Sequence, residues 1–114
     1  ATPTTDQKRL NIVLNKSSGF LYYVSIMGIT GTKEPNLDVL KDQVSKLKKE
    51  TNIPIGVGFG IKRPDQAQKI SKFSDAIVVG SSLIDKIISN YKNNKEDLVL
   101  SEVSEYIKSL KAVI

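Results

Sequence analysis

The sequence contains no cysteine and no histidine, and each absence removes a class of chemistry. Without cysteine there is no disulfide framework, zinc knot or thiol nucleophile, and the composition fits a reducing cytoplasm. Without histidine, no serine of the chain has that residue to act as its base. No apolar run approaches the ~20 residues of a membrane span, and the N-terminus lacks a basic-then-apolar signal segment. We therefore expect a cytoplasmic protein without membrane association.

The charge is moderately basic, with 17 Lys and Arg against 12 Asp and Glu and a formal net charge of +5. The lysines are scattered over helical segments and interleaved with Asp and Glu, and aromatic residues do not alternate with them as in a base-stacking platform. This pattern is typical of a solvated outer face, so we predict no nucleic-acid partner. A length of 114 residues and a charged fraction of 25% are ordinary for one soluble domain, which we place at residues 1–114.

Three short apolar runs, at residues 20–24, 53–57 and 76–79, predict β-strands. Each run is rich in β-branched or aromatic residues and is continuous instead of alternating. Continuous runs are typical of parallel strands that are covered on both faces.

Helical patterns separate the runs. Asp6 offers an N-cap to the first helix, and Pro64 marks the first turn of another. The apolar residues at helical spacing are Leu10, Val13 and Leu14, then Leu37, Leu40, Val44 and Leu47, then Ala67 and Ile70, and finally Leu100, Val103, Ile107, Leu110 and Ile114. A short helix is expected at 83–88, before a polar stretch at 90–94. Alternation of strands and helices predicts right-handed βαβ units and a parallel sheet.

Glycines follow each apolar run, at Gly28 and Gly31, at Gly58 and Gly60, and at Gly80. These positions are the carboxyl ends of successive parallel strands, where α/β folds place ligands. Glycine allows close approach of the backbone, and the bare N–H groups at a helix N-terminus attract anions. One such glycine is an ordinary turn residue, but three clusters at corresponding strand ends favour a phosphate site.

The sequence around these glycines resembles the tryptophan synthase alpha subunit family. Residues 22–31 resemble its sixth strand and mobile loop, residues 54–67 its seventh strand and helix, and residues 77–84 its eighth strand and phosphate helix. The resemblance implies α/β architecture: a C-terminal fragment of a TIM (βα)8 barrel, with three parallel strands and surrounding helices, running from the loop after the fifth strand to the C-terminus. A complete barrel takes ~250 residues.

The family implies a lyase of tryptophan biosynthesis that cleaves indole-3-glycerol phosphate to indole and glyceraldehyde 3-phosphate by a retro-aldol reaction. It implies no metal and no cofactor, because pyridoxal phosphate belongs to the partner beta subunit, which the loop at 26–34 is expected to face. Tyr22 matches a tyrosine under the substrate, and Thr30 a loop residue that helps to order the catalytic carboxylate. The positions that match the phosphate ligands are Gly31, Phe59, Gly60, Gly80 and Ser81.

The family's catalytic glutamate and aspartate come from its N-terminal half, and no position here matches either. Among the local carboxylates, Asp6 and Asp65 lie in helix-start patterns, while Glu34 borders the glycine loop. We therefore predict that these 114 residues alone are inactive. Lys62 and Arg63 stand where a capping Ser or Thr is expected before Pro64, which predicts either a weak cap or a basic pair that faces solvent.

Alternatives remain open at this point. The chain fits another phosphate-binding barrel enzyme, such as a phosphosugar isomerase or epimerase, or a non-catalytic half-barrel that binds phosphate or a protein. Tyr22 and Phe59 also fit simple packing positions, and Thr30 a turn. Three strands cannot close into a barrel, so side chains meant for its interior, such as Tyr22, Val57 and Val79, would be exposed. We therefore expect association with the missing N-terminal half or self-association.

Overall fold

The computed structural model of the 114-residue chain describes residues 1–25, 36–58, 60–93 and 95–114. Strands and helices alternate in the order that the apolar runs predict. The elements are α1 (Gln7–Lys16), β1 (Leu21–Val24), α2 (Leu37–Glu50), β2 (Ile55–Gly58), α3 (Pro64–Ser71), β3 (Ala76–Val78), α4 (Ser81–Lys92), a 3-10 helix (Glu96–Leu98) and α5 (Val99–Lys111). Among these described helices, not one combines the length and the apolar character that crossing a bilayer would require.

The three strands form one parallel sheet in the order β1-β2-β3. The register places Tyr23 beside Val57, and Val57 beside Ile77. The outer edge of β1 is also paired, because the Ala1 nitrogen donates to the Tyr22 carbonyl at 2.8 Å and the Val24 N–H donates to the Ala1 carbonyl at 2.9 Å. The predicted three-stranded parallel α/β segment is therefore confirmed.

One face of the sheet is covered by helices and carries the core. Ile55 and Val57 of β2 are fully buried there, against Val44 of α2 and Ile70 of α3, which are also fully buried. The burial of apolar side chains on this single face is the main source of stability. It fixes the register, because a slip by one residue would turn Val57 toward the other face.

In the part of the chain that the structure describes, the other face of the sheet is open, and it carries different residues from those predicted. The prediction that Val57 and Val79 point to this face is wrong: Val57 is fully buried on the helix side, and Val79 packs against the same core. Side chains alternate between the two faces of a strand, and the continuous apolar run hid this alternation. Of the three residues named, Tyr22 alone is on the open face, opposite Gly56 in the register.

The helix after β3 is longer than predicted. It was expected to span 83–88 and to end before a polar stretch, but α4 continues to Lys92. Asn90 accounts for the difference, because its side chain is buried and its amide donates to the Lys86 carbonyl at 3.0 Å and to Glu102 Oε2 on α5 at 2.9 Å. These two hydrogen bonds allow the polar side chain to be buried within the helix. They cannot be recognised from the sequence alone.

Side chains hold the N-terminal ends of α1 and α3, in the second case by an unexpected route. Asp6 caps α1 as predicted, with its carboxylate accepting from the Arg9 N–H at 2.8 Å. Before α3 no Ser or Thr is available, and Gln66 compensates: its Oε1 accepts from the Lys62 and Arg63 N–H groups at 3.0 and 3.2 Å. The amide oxygen thus satisfies donors that precede the helix.

The buried stripe of α5 also differs from the apolar pattern. Leu100 is 80% exposed and lies outside the buried stripe, while Ile107 and Ile114 are about half exposed and line an apolar groove beside Tyr106. The residue that is buried is Tyr106. Tyrosine is amphipathic and is not counted in an apolar pattern, although a buried one is stable when its hydroxyl finds a partner.

Candidate anion-binding site at the carboxyl edge of the sheet

The carboxyl ends of β1 and β2 are joined by Ser25, which is buried directly after β1. Its N–H and its hydroxyl both donate to the Gly58 carbonyl, at 3.1 and 3.0 Å. Two hydrogen bonds to one acceptor fix the point from which the chain leaves the sheet into residues 26–35. Thr30 and Gly31, two of the predicted site residues, lie in that segment, outside the described residues.

Gly60 follows β2 with a φ of +76°, in the left-handed region that favours glycine. A side chain there would strain the backbone, so the turn depends on this residue. No acceptor for the Gly60 N–H occurs in the described part of the chain. Phe59, another predicted phosphate ligand, lies outside the described residues.

The start of α4 follows β3, and its first backbone N–H groups point out of the helix. Gly80 is the N-cap, and its carbonyl accepts from the N–H groups of Leu83 and Ile84 at 3.0 and 3.2 Å. The N–H groups of Ser81 and Ser82 have no acceptor among residues 1–25, 36–58, 60–93 and 95–114. The first turn carries no acidic residue, and a Cβ built on Gly80 would have no non-neighbouring atom of the described residues within 4 Å. Such a helix end attracts an anion.

A buried hydroxyl network holds the start of α4 against the segment after β2. The Ser82 hydroxyl donates to the Ile61 carbonyl at 2.9 Å. The Tyr106 hydroxyl lies 2.9 Å from Ser82 Oγ and 3.1 Å from the Lys62 carbonyl. Ser82 and Tyr106 were not among the predicted site residues, and the one signal in the sequence was the position of Ser82 directly after Ser81.

Tyr22 lies on the open face beside these strand ends, with its ring over Gly58. A Cβ built on Gly58 would stand 2.5 Å from both Cε2 and the hydroxyl oxygen of Tyr22, so a side chain at that position would displace the ring. Phe20 covers Gly56 in the same manner, with its Cδ2 3.1 Å from a Cβ built there. Two small residues on β2 thus make room for two rings of the neighbouring segment.

Two of the described carboxylates, those of Asp65 and Asp75, have partners away from this edge. Asp65 pairs with Arg63 at 2.9 Å, and this hydrogen bond lowers the pKa of the Asp65 carboxyl. Asp75 lies at the opposite, amino edge of the sheet, where it accepts from Lys48 at 2.8 Å and from the Ile55 N–H at 2.9 Å. The bond from Lys48, followed by that from Ile55, lowers the pKa of Asp75. Neither carboxyl is a raised-pKa acid of the kind that proton transfer employs.

The structure therefore brings together a part of the predicted site. Gly60 follows the carboxyl end of β2, Gly80 and Ser81 follow that of β3, and the Ser82–Ile61 hydrogen bond links the two segments, while the Tyr22 ring lies over Gly58 of β2. Within the described ranges, no group of three or more Asp and Glu residues could hold a metal ion. The arrangement is suited to holding an anion with backbone amides.

Comparison with known proteins identifies the family. The family model described as tryptophan synthase alpha chain matches residues 1–114. The tryptophan synthase alpha chain of Caulobacter vibrioides (strain NA1000 / CB15N) is 43% identical over 98% of this chain and 42% of its own length, and that of Phenylobacterium zucineum (strain HLK1) is 40% identical over 97% and 41%. The crystal structure of the alpha chain from Legionella pneumophila subsp. pneumophila has a TM-score of 0.82 at 34% identity, over 100% of this chain and 40% of that one.

This chain thus spans about two fifths of the length of these relatives, and its three parallel strands form part of their barrel fold. The match extends over all 114 residues. The chain belongs to the tryptophan synthase alpha chain family.

Proposed function

We propose that this chain supplies the phosphate-binding part of a lyase that cleaves indole-3-glycerol phosphate to indole and glyceraldehyde 3-phosphate in tryptophan biosynthesis. The observation that carries the proposal is the pair of N–H groups of Ser81 and Ser82, which have no acceptor in the described part of the chain and which a hydrogen bond holds beside the segment that follows Gly60. Two adjacent strand ends and an extra helix N-terminus are the usual phosphate site of this barrel fold. The family match supplies the substrate class.

In this proposal the amides of Gly31, Gly60 and Ser81 donate to the phosphate oxygens, with Gly80 and Phe59 forming the wall of the site. Glycine at positions 60 and 80 lets the backbone approach the anion closely. The helix dipole of α4 adds a favourable field, and the absence of an acidic residue from its first turn leaves that field uncancelled.

Tyr22 would lie under the remainder of the substrate. Its ring is held across Gly58 on the open face, one strand away from the free amides. A phosphate anchored at the strand ends would orient the indole-bearing end over this ring, where stacking against an aromatic face is favourable. Thr30, in the loop that follows β1, would help to order the catalytic carboxylate.

The proton-transfer groups would come from outside these 114 residues. Retro-aldol cleavage needs one group to protonate the indole ring carbon and another to handle the indole N–H and hydroxyl protons. The roles seen for Asp6, Asp65 and Asp75 are structural. The loop at 26–34 would face a beta subunit, whose pyridoxal phosphate is the cofactor of the complex, while the alpha reaction itself uses no cofactor and no metal.

A complementation assay tests this function. The 114-residue chain alone should cleave indole-3-glycerol phosphate at the background rate, because proton transfer typically contributes 10²–10⁴-fold and its agents are missing. Addition of the portion of the Caulobacter vibrioides alpha chain that this chain does not cover should restore cleavage. Indole release, followed by its absorbance, is the measurement.

The matched control is the same mixture with Ser81→Glu, which should stay inactive. Cleavage by the 114-residue chain alone would show that one of its own carboxylates is catalytic. A complemented mixture that isomerises a phosphosugar and leaves indole-3-glycerol phosphate intact would favour the isomerase or epimerase alternative. Phosphate binding without any turnover would favour a non-catalytic module.

A further inference from the structure

The two hydroxyls that join α4, α5 and the segment after β2 are almost completely removed from solvent. Ser82 and Tyr106 are each 8% exposed, and each makes its hydrogen bonds to protein atoms. The Ser82 proton goes to the Ile61 carbonyl, so the single proton of Tyr106 is available to Ser82 Oγ and to the Lys62 carbonyl. The oxygens of this cluster therefore keep their hydrogen bonds only while α4, α5 and the segment after β2 stay in place.

The peptides that this cluster holds flank the proposed anion site on both sides. Ile61 and Lys62 directly follow Gly60, whose N–H has no acceptor among the described residues, and Ser82 directly follows Ser81. Adjacent residues of a backbone cannot move independently, so the cluster sets the separation between the two groups of amide donors. A misplacement of about 1 Å at a binding constellation costs up to 10²-fold in rate.

The ring of Tyr106 is fixed independently of its hydroxyl. Lys86, on α4, places its Nζ 5.0 Å from the ring centroid, within the range of a cation–π contact. The ring also lines an apolar groove of about 270 Å³ with Ala67, Val79 and Leu83. Removal of the hydroxyl alone therefore leaves the ring packed, which allows the effect of the hydrogen bonds to be measured separately.

We propose that Ser82 and Tyr106 are positioning residues of the anion site, which clamp the peptide after Gly60 to the first turn of α4 at the separation that a phosphate group needs. This proposal rests on the proposed function of the same site. Neither side chain touches the anion; both act through the amides of their neighbours. The clamp explains why a tyrosine is buried in α5, where an apolar residue would otherwise suffice.

The test uses the full-length protein, with inorganic phosphate as the probe. The dissociation constant is measured by calorimetry well below the unfolding temperature. Tyr106→Phe and Ser82→Ala should each raise the dissociation constant about 5- to 10-fold, the effect of losing one buried hydrogen bond. The double variant should bind no more weakly than the weaker single variant, because both hydroxyls act through one clamp. Tyr91→Phe, on the exposed side of α4, is the matched control and should bind like the wild type.

The outcomes separate the two proposals. A lowered melting temperature with an unchanged dissociation constant in both single variants would overturn the positioning role and leave the phosphate site intact. Strictly additive losses in the double variant would also contradict a shared clamp. A wild-type protein that binds no phosphate would reject the proposed function, and the positioning role with it. If one single variant fails to fold, the other and the Tyr91→Phe control still decide the question.

Discussion

Replacing Ser81 with glutamate is expected to abolish phosphate binding while leaving the fold intact. The new carboxylate would stand at the first position of α4, within a few Å of the anion. Two unit charges 4 Å apart repel by about 4 kcal/mol at an effective dielectric constant of 20, which corresponds to about 10³-fold in affinity. A glutamate in the first helical turn interacts favourably with the helix dipole, so the melting temperature should not fall.

Two variants control this experiment. Ser89→Glu places the same charge at an exposed position near the other end of α4 and should leave the phosphate dissociation constant within about threefold of the wild type. Ser81→Ala keeps the backbone donor and removes only the hydroxyl, so it should weaken binding much less than Ser81→Glu. Equal phosphate affinity in Ser81→Glu and Ser89→Glu would place the anion site elsewhere.

Truncation of Ile70 to alanine is expected to cause the largest loss of stability among simple core substitutions. Ile70 is fully buried on α3, where it packs with Ile55 and Val57 of the central strand. Removing its side chain leaves a cavity, and such substitutions cost about 2–5 kcal/mol. A loss of this size is a large part of the ~5–15 kcal/mol by which a domain is stable.

Urea unfolding of the full-length protein, followed by circular dichroism, measures this loss in the free energy of unfolding. Ile12→Ala is the matched control, since Ile12 also lies in a helix but is 53% exposed, and it should change the free energy of unfolding by less than about 1 kcal/mol. Similar losses in the two variants would contradict the placement of the core between α3 and the helix-facing side of the sheet.

The parts of the fold that were predictable are those that depend on local pattern. Continuous apolar runs located the three strands, and Asp6 and Pro64 marked helix starts where the structure has them. The glycine positions indicated the carboxyl edge of the sheet, because parallel strands all end on the same side. These signals are carried by a few neighbouring residues and need no knowledge of tertiary contacts.

The parts that were not predictable depend on contacts between distant segments. The side of the sheet on which the Val57 side chain lies depends on its register with Tyr23 and Ile77. A continuous apolar run does not encode this register, because its residues do not alternate between apolar and polar. The continuation of α4 through Asn90 depends on Glu102, twelve residues further along.

The Ser82–Tyr106 contact is of the same kind, since it joins residues 24 positions apart that share no motif. A buried polar pair is visible only when both partners are in place. The anion site was therefore predictable at its glycines, whereas the hydroxyls that hold its two sides together were not.

The central claim is that the strand ends of this chain converge on one phosphate. The most direct measurement is a titration of ¹⁵N-labelled protein with inorganic phosphate, followed by amide chemical shifts. The amides of Gly31, Gly60, Ser81 and Ser82 should shift together, along one saturable curve with one dissociation constant. Saturable shifts confined to amides elsewhere, or no saturable shift at Gly60 and Ser81, would contradict the claim.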